Sequence, residues 1–149
     1  MSIKKILLLA IALLALIGMG NAAYVTYLTF VKLPSTTAPL ICDINSAWNC
    51  SQALQLTEAY ILGVPSCTIA FFVYPVIIAI ALLGYFGRMN RYFPILALLG
   101  IGGMALNGYV LAVDASFGVY CLLCVLCGII ITLIFASALT GWSLDRKQP

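Results

Sequence analysis

The sequence predicts an all-α membrane protein: a four-transmembrane-helix bundle with a long outer loop carrying a short amphipathic helix. Three observations carry this reading. The chain of 149 residues is 64% hydrophobic and 7% charged, with a mean hydropathy of +1.17, whereas a soluble domain is about a quarter charged. Four of its segments supply the run of about 20 apolar residues that a helix needs to cross the hydrocarbon core. The few charges fall between those segments rather than in their middles. No water-soluble fold of this length hides so much apolar surface, and the length suits one integral membrane domain over residues 1–149.

The first span is expected over residues 6–31. Lys4, Lys5 and the Asn21-Ala22-Ala23 stretch resemble a cleaved secretory leader. The apolar run continues through Tyr24 to Phe30, however, so an uncleaved helix is the better reading. The outer loop, residues 32–60, opens on an irregular, extended stretch from Leu33 to Pro39. Its second half, Ala47 to Leu56, has the pattern of a short amphipathic helix, with Trp48 suited to the membrane interface. The second span is placed at 61–86, the third at 92–113 and the fourth at 120–139. Gly100, Gly102, Gly103 and Gly108 in the third are the small residues that permit close helix contact.

Charge sets the orientation. Lys4 and Lys5 precede the first span, Arg88 and Arg91 lie between the second and third, and Arg146 and Lys147 follow the fourth. Positive residues favour the cytoplasmic side. Both termini are therefore expected in the cytoplasm of a multi-pass protein of the plasma (inner) membrane. The loop with Lys32, Asp43 and Glu58, and the turn from Asp114 to Gly118, face outside.

The net charge of +3 forms no basic patch, which argues against nucleic acid as a partner and leaves membrane lipid. The absence of histidine removes the commonest general base and metal ligand. What remains to carry chemistry is sulfur. Of six cysteines, Cys42 and Cys50 lie in the outer loop, and Cys121 and Cys124 form a C-x-x-C at the outer end of the fourth span. All four fall on the oxidising side, where disulfides persist, and C-x-x-C is a redox spacing. Two such pairs within reach of one another are what thiol–disulfide exchange requires. The free N–H groups and positive dipole end of a helix start stabilise a thiolate. Cys121 is expected at that start, facing loop and water, with Cys124 one turn deeper, facing the bundle. Cys67 and Cys127 read as small buried residues. The further cysteine in Cys121-x-x-Cys124-x-x-Cys127 resembles part of an iron–sulfur pattern. Residues three apart on a helix diverge by about 60° per step, however, and a fourth ligand is missing, so no metal site is expected.

In layout and motif the chain resembles the vitamin K epoxide reductase family. The resemblance rests on Cys42-Asp43-Ile44-Asn45-Ser46-Ala47-Trp48-Asn49-Cys50-Ser51 after the first helix, Gly63-Val64-Pro65-Ser66 at the start of the second, and Tyr120-Cys121-Leu122-Leu123-Cys124 at the start of the fourth. It implies a four-helix bundle around a quinone, either ubiquinone or menaquinone. It implies that Cys124 reacts with the quinone, that Cys121 is its partner and exchanges with Cys50, and that Cys42 and Cys50 collect electrons from a thioredoxin-like (DsbA-like) protein on the outer face. The chain departs from the family where Gln55, Leu56 and Thr57 replace a common Ser-Ser, and where Gly128 stands at the position of a vertebrate tyrosine. Many bacterial relatives carry a fused thioredoxin-like domain; here the partner is expected to be a separate protein.

Polar side chains within the spans are expensive and mark candidate quinone contacts: Ser66, Tyr74, Asn107 and Tyr109. Interhelical hydrogen bonding is an equally good use of Asn107 and of Asn21. The expected activity is thus a membrane thiol:quinone oxidoreductase that generates disulfides. One rival is electron flow toward a quinone epoxide. Another is a non-enzymatic tetraspan protein held by static disulfides.

Overall fold

The computed structural model describes residues 2–35, 39–56 and 60–146. All four expected spans are helices long and apolar enough to cross a membrane, each with ends that differ from the sequence reading. Helix α1, Ile3–Tyr27, runs on through a π-helical turn, Leu28–Lys32, into a last turn, α2, Leu33–Ser35. The start of the outer loop is therefore helical rather than extended, up to Ser35. The ladder widens just before Pro34, which has no N–H to give to the Phe30 carbonyl. The amphipathic helix shrinks to α3, Cys50–Ala53, whose cap is Asn49: its side chain accepts from the Gln52 N–H. Residues Tyr60–Ile61 (β1) and Val64–Pro65 (β2) form a two-stranded antiparallel hairpin, not the start of a helix. Leu62 and Gly63 turn it with positive φ. Helix α4, Ser66–Tyr85, begins directly after Pro65.

Helices α5, Tyr92–Ser116, and α6, Leu122–Arg146, both outrun the apolar segments that revealed them, because backbone hydrogen bonding continues past the hydrocarbon. Asp114 is consequently in the last turn of α5, not in a connecting turn. Glu58 and Lys147, read above as topology signals, and Thr57, Thr36, Thr37 and Ala38 lie outside the described residues.

Helix α1 packs mainly on α4 and α6, and α5 mainly on α6. The core runs along the bundle: Leu8, Ile11 and Ala15 from α1, Ile77 and Ala81 from α4, Phe93 and Leu96 from α5, Ile130, Ile134 and Ala138 from α6. Of the four α5 glycines, two make the close contact expected. A Cβ at Gly100 would come within 2.9 Å of Phe135, and one at Gly103 within 2.7 Å of Ile131, both on α6. Gly102 and Gly108 meet no neighbour in this way.

One end of the bundle is charged. Lys4 bridges to Asp145 at 2.6 Å, Lys5 lies over the Tyr85 ring, and Arg146 lies over the Trp142 ring. The opposite end carries a second cluster, in which Cys42, Cys50 and Cys121 are buried with Val25, Leu28 and Val119.

Candidate active site: a disulfide, two thiols and a cavity

The outer loop is held by its own polar groups. The Asp43 carboxylate accepts from the Leu40 N–H at 2.7 Å, the Ser51 N–H at 2.9 Å and the Ser51 hydroxyl at 2.5 Å. Burial works to raise the Asp43 carboxyl, but these hydrogen bonds prevail and hold it below the usual carboxylate range. Asn45 Oδ1 accepts from the Ala47 and Trp48 amides, each at 2.9 Å, and closes a tight turn.

That turn brings the loop beside the segment leading into α6. The Tyr120 N–H donates to the Ala47 carbonyl at 2.7 Å, and the Asn49 N–H donates to the Tyr120 carbonyl at 3.1 Å. Trp48 and Tyr120 form the parallel bridge so defined, with ring centroids 5.6 Å apart. Trp48 is thus half-buried against Tyr120.

The bridge places Cys50 beside Cys121. Cys42 and Cys50 are joined in a disulfide, with Cα atoms 5.7 Å apart. The Cys121 thiol donates to Cys50 Sγ at 3.5 Å. Cys121 lies at the cap of α6, where its carbonyl accepts from the Cys124 and Val125 amides at 3.0 Å. It is fully buried beneath the loop and does not face water; of the three sulfurs gathered here Cys42 is the most exposed, at 9% against 0% for Cys50 and Cys121, while Cys124 is half-buried. The Cys121 thiol is held below its ordinary range. The chief cause is the hydrogen bond from the Cys124 thiol. The amides of Cys124 and Leu123 add to it, while burial and the nearby Asp114 oppose it.

Below the C-x-x-C lies a cavity of about 220 Å³ between the helices. Cys124 lines it, as do three of the four polar candidates, Ser66, Tyr74 and Asn107. Tyr109 does not line it. It is 50% exposed, because residues two apart on a helix face nearly opposite ways, and Asn107 takes the inward side of α5.

Three further residues line the cavity: Asn21, which makes the interhelical hydrogen bond expected of it, and Cys67 and Cys127, which were expected to be no more than small buried residues. Asn21 donates to the Leu123 carbonyl at 3.0 Å, as Asn107 does to the Cys124 carbonyl at 3.1 Å. The two amides grip the first turn of α6 from α1 and α5. Cys67 and Cys127 also face the cavity, and Cys127 Sγ lies 3.2 Å from the Tyr74 hydroxyl. Their signal was an unremarkable one, a small residue within an apolar helix. Gly128 has a definite role: a Cβ there would collide with Asn107 Oδ1.

The cavity suits a small, largely apolar ligand with a few polar groups. Its walls are mostly aliphatic, and Asn21, Ser66, Tyr74 and Asn107 supply polar groups near Cys124. The sequence profile of the vitamin K epoxide reductase family matches residues 9–139. No curated protein matches the chain. The four spans, the paired cysteines and the family match agree, and the chain belongs to the vitamin K epoxide reductase family, a family of membrane oxidoreductases that use quinones.

Proposed function

We propose that this protein is a thiol:quinone oxidoreductase that generates disulfides. Electrons pass from a thioredoxin-like partner through Cys42 and Cys50 to Cys121 and Cys124, and on to a membrane quinone, ubiquinone or menaquinone. The observation that carries the reading is the Cys121 thiol 3.5 Å from the Cys42–Cys50 disulfide, with Cys124 opening on the cavity. A static pair of bridges has no use for a free thiol at that distance.

The exchange steps balance. A partner thiolate attacks Cys42, the more exposed sulfur of the pair, and releases Cys50 as a thiolate. Cys50 attacks Cys121 in an oxidised Cys121–Cys124 pair and releases Cys124 at the cavity wall. The partner's second thiol then frees Cys42. Cys42 attacks Cys50, which re-forms their disulfide and releases Cys121. Two electrons now reside on Cys121 and Cys124, and the outer pair is closed again. This is the arrangement of bonds in the structure. Ser66, Tyr74, Asn107 and Asn21 would hold the quinone, which supplies an acceptor for two electrons and two protons.

The charged end of the bundle, with Lys4, Lys5 and Arg146, lies opposite the cysteines. The bias of positive residues toward the cytoplasm then favours cytoplasmic termini and an outward-facing relay in the plasma membrane.

The test uses pre-reduced protein in detergent, mixed with short-chain ubiquinone or menaquinone, following thiol loss and quinone reduction together. Wild type should lose two thiols per quinone reduced, and Cys124→Ala should reduce none. Full quinone reduction by Cys124→Ala, or no reaction of folded wild type with either quinone, overturns the reading.

A further inference from the structure

Asp114 is the one fully buried carboxyl among the described residues, 1% exposed in the last turn of α5. The chain doubles back over it. Its carbonyl accepts from the Phe117 and Val119 amides at 3.2 and 3.0 Å, and this fold-back brings Cys121 close. Neither carboxyl oxygen has a hydrogen-bond partner among the described residues. The Cys121 N–H faces the group, short of full hydrogen-bond geometry. Both the Cys121 and Cys124 sulfurs lie within its electrostatic reach, from the α6 side. Among the described residues no lysine or arginine pairs with it; their one ion pair is Lys4–Asp145, at the other end of the bundle.

A buried carboxyl without a partner is a costly group that calls for an explanation. In a membrane protein an ionisable side chain turned inward is a functional candidate by default. Asp114 caps no helix and closes no ion pair. Within its electrostatic reach lies a pair of thiols that must shed protons. Cys124 has the cavity through which to do so. Cys121 is sealed from water, and the chain holds no histidine.

We propose that Asp114 carries the proton of Cys121, a role that rests on the redox reading of the pair given above. When the pair is oxidised, the two S–H bonds break and one S–S bond forms. Two electrons pass to the acceptor, a quinone. The Cys124 proton leaves on the cavity side. The Cys121 proton moves to the Asp114 carboxylate through one intervening water, since the two groups make no direct hydrogen bond, and from there follows the electrons. When Cys121 is next released as a thiolate from its bond to Cys50, Asp114 takes up one of the two protons that the partner dithiol sheds on oxidation and passes it to Cys121.

The experiment uses the full chain in detergent, pre-reduced, and measures formation of the Cys121–Cys124 disulfide across a range of pH. One arm uses short-chain ubiquinone as oxidant. The other uses dithiodipyridine, a small disulfide that needs no quinone site and releases two thiopyridones as the pair closes. Asp114→Asn should slow the reaction about a hundredfold in both arms and remove one limb of the pH profile; Asp114→Glu should restore part of both. An unchanged rate and profile for Asp114→Asn in the dithiodipyridine arm overturns the proposal. If wild type ignores quinone yet shows the Asp114-dependent limb with dithiodipyridine, the quinone reading falls and the proton role stands. Should Asp114→Asn fail to fold, infrared difference spectra of wild type on oxidation decide. A change in a desolvated carboxyl band supports the role, and its absence overturns it.

Discussion

The two cysteine pairs are held in opposite ways. Cys42 and Cys50 sit in an irregular loop whose shape comes from side chains: Asp43 on the Leu40 and Ser51 amides, and Asn45 on those of Ala47 and Trp48. Cys121 and Cys124 sit on the start of a long helix, and two asparagines from neighbouring helices bind the carbonyls of its first turn. A loop of polar contacts can open to a soluble partner at small cost. A helix start braced on both sides keeps one sulfur aimed at the loop and the other at the cavity. The difference teaches that, in the proposed relay, one pair is held by contacts that can yield and the other by contacts that fix its position.

The sharpest way to break this division is at the sulfur that joins its halves. Cys50→Ala should lower turnover driven by a reduced thioredoxin-like protein by about three orders of magnitude. Single-turnover oxidation of a pre-reduced Cys121–Cys124 pair by quinone should persist in the same variant. If both are lost together, the pairs do not act in sequence.

A smaller effect is expected on the braced side. Gly128→Ala should push Asn107 off the Cys124 carbonyl and destabilise the bundle by about 2 kcal/mol, read as a lower melting temperature in detergent. Pair oxidation should slow, while the accessibility of Cys42 to thiol reagents is unchanged.

The smallest effect belongs to the loop. Asp43→Asn should loosen it by about 1 kcal/mol, seen as faster hydrogen exchange at the Leu40 and Ser51 amides. Because the carboxyl is held below its ordinary value of 3.8, its contribution is full above that pH. The contribution fades as pH falls toward the lower folded value, where protonation removes it. The protection of those amides, relative to the intrinsic exchange rate at each pH, should therefore fall on acidification in wild type and stay constant in Asp43→Asn.

The spans were legible because apolar length is all that a membrane asks of a helix. Their ends were not, since helical hydrogen bonding outruns the hydrocarbon at Ser116 and Arg146, and since the apolar Tyr60 and Ile61 pair as a strand. Gly63 and Pro65 were the punctuation that could have moved that boundary. Cys42, Cys50, Cys121 and Cys124 stood out by spacing and by their place in the outer loop or at the outer end of a span. Cys67 and Cys127 did not, because which face of a helix meets a cavity depends on how neighbouring helices rotate against it. Asp114 read as a topology charge in an exposed turn, and only the fold-back of residues 117–121 shows it to be enclosed.

The parallel bridge between the loop and α6 has a consequence for tolerance to mutation. Its two hydrogen bonds, Tyr120 to Ala47 and Asn49 to Tyr120, are made by main-chain atoms, so the approach of Cys50 to Cys121 does not depend on which side chains occupy those positions. Substitutions at Ala47 and Tyr120 should therefore leave the two bonds intact, whereas Asn49 also caps α3 through its side chain. Proline is the exception: at 49 or 120 it would delete an N–H from the bridge and silence the relay without touching a single sulfur.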